Sequence, residues 1–174
     1  PERAIAERLF ALLDGLDEGT LDLALIASQP PAGGPRLAID PLFRDSFVLA
    51  TGPEEKPTEP VALTAIDTDR MLLLDEGHCF RDQAIAACGL DGTAGKTFAA
   101  TSLSTIVEFV ASGQGITLLP EIALRKEATG RIQVHRLAAP GAGRMLSLCW
   151  RQGSPFEAVY RDIGRSIRRT RESG

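Results

Sequence analysis

The apolar positions change period from segment to segment along the chain. Ile5, Leu9, Leu12, Leu13 and Leu16 recur at helical spacing, so residues 2–14 read as a helix that runs out near Gly19. Residues 21–27 (LDLALIA) form a short apolar run of strand length, the kind a strand covered on both faces carries. Residues 28–34, with their paired prolines and glycines, read as loop. Residues 46–51 and 70–74 (RMLLL) read as the next strands, separated by a charged, proline-bearing loop at 54–60. A helical stretch over 80–88 is stopped by Gly89, and 96–100 reads as a strand. Ser102 is placed as an N-cap, because Leu103, Ile106, Val107 and Val110 follow at i, i+3, i+4 and i+7, and Gly113 closes that helix. Residues 115–119, ended by Pro120, and residues 132–137 and 145–150 are the late strands. Ser154-Pro155-Phe156-Glu157 is a capping box with proline at the first helical position. Phe156, Val159, Tyr160, Ile163 and Ile167 then share one helical face.

Strands alternating with helices predict an α/β fold with a mainly parallel sheet. The chain opens on a helix with no strand to feed it. The pattern therefore predicts that a first strand and helix of the domain are missing from this chain.

Composition narrows the class. A length of 174 residues suits one domain or two small lobes, and 44% hydrophobic with 24% charged residues is a globular balance. No apolar run approaches the roughly 18 residues of a membrane span, and the Pro1-Glu2-Arg3 start is not that of a signal peptide. The net charge of −4 and pI near 5.2 argue against a global nucleic-acid surface. Arg161, Arg165, Arg168, Arg169 and Arg171 read as a solvated helix face rather than a phosphate patch. Three cysteines are too few for a disulfide scaffold and point to a reducing compartment, where a disulfide acts as a switch rather than a staple.

The chemistry concentrates in Gly77-His78-Cys79-Phe80-Arg81-Asp82-Gln83-Ala84, followed by Cys88. A cysteine at a helix N-terminus is favoured as thiolate by the dipole and the free N–H groups. Arg81 adds positive charge two residues on, and His78 can move a proton near neutral pH. An accessible thiolate is the species that peroxides oxidise to sulfenic acid. Cys79 and Cys88 are nine residues apart, about 13.5 Å and half a turn of phase on one helix. A disulfide needs Cα atoms within about 7 Å, so the pair can bond only if the helix melts. The bland reading, a capped inert thiol and a core cysteine, weighs about equally on these residues alone. One histidine and two cysteines at these spacings match no zinc signature, and neither a metal nor a cofactor is expected.

The same stretch resembles the redox centre of the peroxide-sensing LysR-type transcriptional regulators, the OxyR family. The similarity continues through residues 19–26, 100–105, 113–120 and 150–155, in order and across most of the chain. The LysR elements are shared by many regulators; the Gly-His-Cys-x-Arg-Asp-Gln-Ala segment with a cysteine nine residues on is far more specific. The resemblance implies a periplasmic-binding-protein-like type II fold of two α/β lobes, lobe I over 1–43 plus 151–174 and lobe II over 44–150. It implies peroxide oxidation of Cys79, resolution by Cys88, and His78, Arg81, Asp82, Gln83 and Arg151 around the thiolate. It further implies cytoplasmic homodimers or homotetramers, and contact with DNA and RNA polymerase only through a full-length protein. No membrane partner is expected. The family's winged helix-turn-helix is absent from this sequence. Relatives carry a threonine about ten residues before the glycine matching Gly19, whereas this chain has Leu9.

Thr101 and Ser102, at a helix N-terminus, are ligand-cleft candidates, with plain capping as the competing reading. Cys149 reads as a bystander thiol and His135 as a half-exposed strand residue. The rival function is a LysR-type effector domain for a small anionic metabolite with incidental cysteines. A cysteine-dependent enzyme using Cys79 and His78 ranks lower, since adjacent residues seldom align a base with the nucleophile's proton.

Overall fold

Helix α1 spans Glu2–Glu18 and is followed by the short strand β1, Ala24–Ile26. The structure is a computed structural model. It describes residues 2–28, 30, 36–75, 79–89, 96–100, 102–128, 130–139 and 142–172, with their side chains except at 2–8, 79 and 96–99. Strand β2 is continuous over Leu37–Thr51, far longer than its apolar run, because Pro41 disguises its first half. Then come β3 (Leu72–Leu74), α2 (Cys79–Cys88), β4 (Lys96–Ala100), α3 (Leu103–Ala111), β5 (Thr117–Pro120), α4 (Leu124–Glu127), β6 (Gln133–Arg136), β7 (Gly143–Arg151) and α5 (Glu157–Glu172).

The chain divides into two compact units, one over Asp45–Gly143 and the other over Arg3–Arg44 and Arg144–Gly174. By compactness the return boundary falls after Gly143, the first residue of β7, where the resemblance implied one after Trp150. The reason is pairing: β7 carries β1 antiparallel to it, Ala24 against Cys149 and Ile26 against Ser147. In this unit Leu16, Ala24, Ile26 and Cys149 form one apolar cluster, and Leu42, Leu148, Trp150 and Tyr160 form another. Alternate residues of β7 feed the two clusters, so both of its faces are buried. Leu9 packs against the first cluster, which makes it a core residue. On α5 the expected apolar face splits: Tyr160 is buried and Ile167 partly so, while Phe156, Val159 and Ile163 are exposed.

In the other unit β2 pairs antiparallel with both β5 (Val48 against Leu119) and β6 (Leu49 against His135). Among the described residues only β3 and β4 make a parallel ladder, with a parallel bridge from Met71 to Ile116 beside it. The expectation of mainly parallel sheets is thus corrected: three of the four ladders with assigned register are antiparallel. Strand–helix alternation does not reveal direction. Here β2 leads the chain out of one unit and β7 leads it back, so neighbours meet them head to tail. The core of this unit gathers Phe47, Leu49, Met71, Leu72, Leu73, Leu74, Phe80, Ile106, Val110 and Leu118. All three residues of β3 are buried, as its unbroken leucine run requires.

Gly115 marks the tightest approach. Ile116 donates to the Arg70 carbonyl and Leu72 to the Ile116 carbonyl, at 3.0 and 2.8 Å. A Cβ on Gly115 would lie 2.6 Å from the Arg70 oxygen and 2.7 Å from Leu72 Cγ. Gly115→Ala is expected to destabilise the protein by about 1–3 kcal/mol, as overpacking does. Urea unfolding should show a lower midpoint at an unchanged slope; an unchanged midpoint would contradict this packing.

Candidate functional site

Helix α2 begins and ends on a cysteine. Ten residues are fewer than the roughly 12–15 an isolated helix needs in water, so α2 stands on its packing. Phe80 meets Phe47 edge-on, with ring centroids 5.1 Å apart. Ala84 is buried, and Ile85, Ala87 and Cys88 lie partly buried on the same core. Gly89, at φ +62°, ends the helix in the left-handed conformation that glycine adopts without a Cβ penalty. With the helix intact from Cys79 to Cys88, the two Cα atoms are separated by about 13.5 Å of axial rise and lie on opposite sides of the axis. That rise is about twice the disulfide limit. The structured helix and a bond between these cysteines exclude each other.

Helical phase sorts the surrounding residues. Positions 82, 83 and 86 share the phase of 79, at i+3, i+4 and i+7; Asp82 and Gln83 are half-buried and Ala86 is exposed. Positions 84, 85 and 88 share the phase of 81, on the core side. Arg81 follows that phase rather than its sequence proximity to Cys79. Its guanidinium is buried, at 4% exposure, and Nη1 donates to the Leu74 carbonyl at 2.9 Å. The first turn of α2 is thereby tied to the end of β3. The i, i+3, i+4, i+7 relation of 81, 84, 85 and 88 is the signal in the sequence that places Arg81 on the buried face.

The two described thiols are poor nucleophiles. Cys88 is free and half-buried, and burial pushes its thiol pKa up. Cys149 is fully buried, and burial pushes it up to about 11. Both stay protonated at neutral pH, and the thiolate is the reacting species.

The remaining predicted residues fall apart in the chain. His78 and Thr101 lie outside the described residues. Ser102 caps α3: its Oγ accepts from the Thr105 N–H at 3.2 Å and lies 2.9 Å from Thr105 Oγ1. Arg151 is exposed and belongs to the unit that holds β7. Its guanidinium lies over the turn at Gly19, where an added Cβ would be 3.6 Å from Nη1. His135 is not half-exposed as expected. It is buried between Thr51 Oγ1, 2.9 Å from Nε2, and Glu59 Oε1, 2.8 Å from Nδ1. Glu59 closes over the ring from the loop that the sequence showed only as charged and proline-bearing.

The sequence model of the family described as LysR substrate binding domain matches residues 7–171. A probable hydrogen peroxide-inducible genes activator of Streptomyces viridosporus is 42% identical over 168 residues, 93% of this chain and 53% of that protein. The DNA-binding transcriptional dual regulator OxyR of Escherichia coli K12 is 35% identical over 162 residues, 90% of this chain and 52% of that protein. The chain thus spans about half the length of the curated relatives it matches. The reduced form of the OxyR regulatory domain from Pseudomonas aeruginosa superposes with a TM-score of 0.77 at 32% identity. That match covers 91% of this chain and 78% of the other.

Thiol labelling of the native protein is expected to run in the order Cys79, Cys88, Cys149, read by peptide mass after brief alkylation near pH 7.5. Equal labelling of all three would contradict it. Cys149 also sets a pH limit. Its stabilising contribution as a packed, neutral thiol is full below the ordinary cysteine range and is lost as pH rises toward about 11. Urea midpoints should therefore fall across that window, and fall less in Cys149→Ala.

Proposed function

The chain belongs to the LysR substrate-binding domain family, and from that premise we propose that it is the peroxide-sensing regulatory domain of a transcriptional activator. The observation that carries this reading is one short helix with a cysteine at each end. Peroxide-inducible activators among its relatives point the same way.

The chemistry is a two-electron oxidation. The Cys79 thiolate, favoured by the helix N-terminus, attacks one peroxide oxygen. The O–O bond breaks, the departing hydroxide takes up the proton that the thiol had released and leaves as water, and Cys79 becomes a sulfenic acid. Cys88 then attacks that sulfur, a second water leaves, and the S–S bond forms. His78, Asp82 and Gln83 flank the reacting position in sequence or helical phase and serve as proton carriers and hydrogen-bonding groups for peroxide. Thr101 and Ser102 offer N–H groups to a second, anionic ligand. Leu9 takes no polar part, which leaves peroxide positioning to the other groups.

The second step requires α2 to unwind. Phe80, Ala84 and Ile85 then leave the core, at about 1.5–3 kcal/mol for each large apolar side chain. New burial at a subunit interface offsets that cost, and the bond becomes a change in how subunits pack. In this reading the domain works as a homodimer or homotetramer in the cytoplasm. It reaches DNA and RNA polymerase only as part of a full-length regulator. It turns over no substrate and needs no cofactor.

Stoichiometric peroxide is expected to give a Cys79–Cys88 disulfide by peptide mass, together with lost hydrogen-exchange protection across residues 77–90. A confirmed disulfide with unchanged protection would refute the switch, and the absence of any disulfide would refute the sensor.

A further inference from the structure

Arg81 is the one member of the buried face of α2 whose chemistry argues against being there. Its side chain is 4% exposed, and Nη1 has the Leu74 carbonyl as partner. Its Nε–H, also buried, has no hydrogen-bond partner. No carboxylate among the described residues pairs with it; the ion pairs there engage Arg70, Lys126, Arg131, His135, Arg161, Arg165 and Arg168. A buried cation that has no anionic partner among the described residues, and that carries an unmet donor, is a large penalty for a ten-residue helix to carry. An apolar side chain such as methionine would fill the same space without it.

We propose that Arg81 is a positioning residue that sets the redox poise of the cysteine pair by destabilising the reduced, helical form of α2. The proposal rests on the disulfide reading above. When α2 unwinds, the guanidinium returns to water and Nε regains a partner. That release offsets part of the apolar burial given up by Phe80 and Ile85. The charge thus lowers the cost of reaching the disulfide-bonded form and does nothing for that form once it is made. The same arginine that ties α2 to the end of β3 holds the helix close to its melting point.

The test equilibrates the chain and its Arg81→Met variant with mixtures of reduced and oxidised glutathione. In this exchange one glutathione disulfide is reduced to two thiols as Cys79 and Cys88 are oxidised. Disulfide is counted by peptide mass after alkylation. The expected result is a disulfide about tenfold less favoured in Arg81→Met, a midpoint about 30 mV less negative for a two-electron couple. Reduced Arg81→Met should also melt higher than the reduced parent, while the oxidised forms melt alike. A midpoint that is unchanged, or that moves the other way, overturns the proposal. Failure of the parent chain itself to form the disulfide would instead overturn the sensor reading. Should the variant not fold, hydrogen exchange on the reduced parent decides. The amides of α2 should open far more often than those of α3, whose Ile106, Val107 and Val110 are all buried. Equal protection in the two helices would overturn the proposal.

Discussion

A helix and a disulfide compete for the same ten residues. As long as Cys79–Cys88 is helical, the cysteines are separated by about 13.5 Å of axial rise, and bonding them demands that the helix be given up. That exclusion makes the reduced state a definite structure rather than the mere absence of a bond. It also makes oxidation a choice between two packings of one segment.

The surroundings of α2 suit a segment that must be given up. Its anchors are Phe80 and Ala84, with Ile85, Ala87 and Cys88 only partly buried. Around it the framework is tighter. All of β3 is buried, α3 is capped by Ser102 and seated on three buried residues, and Gly115 lets the Arg70 and Ile116 backbones meet. A loose helix on a rigid frame confines a chemical event to one segment. The thiols divide along the same line. Burial raises the pKa of Cys88 and Cys149 alike, but Cys88 sits on the helix that the proposed disulfide would open, whereas Cys149 is locked between α1 and the strands of its unit.

Much of this was legible in the chain. The helical periods over 103–111, with Ser102 as cap and Gly113 as stop, and the all-leucine strand β3 are local signals, and each appears where its pattern placed it. The nine-residue spacing of Cys79 and Cys88 already excluded a bond within a helix. Strand direction was not legible, because parallel and antiparallel neighbours bury the same side chains. The true length of β2 was hidden by Pro41, and the ownership of β7 by its buried run from Leu146 to Trp150, which suits either unit equally. The burial of Arg81 was hidden for a different reason. Two residues in sequence are roughly 200° on a helix, so its charge and its nearness to Cys79 in sequence masked a place on the buried face. His135 was misplaced because its partners, Thr51 and Glu59, come from remote parts of the chain.

The central claim is that the disulfide and the helix cannot coexist. Backbone and cysteine Cβ chemical shifts, recorded for residues 79–88 before and after one equivalent of peroxide, test it most directly. The account predicts helical Cα shifts with reduced-cysteine Cβ shifts before oxidation. Afterwards, cystine Cβ shifts at Cys79 and Cys88 should appear together with loss of the helical Cα shifts between them. Cystine shifts at both positions with the helical Cα pattern intact from Cys79 to Cys88 would contradict it.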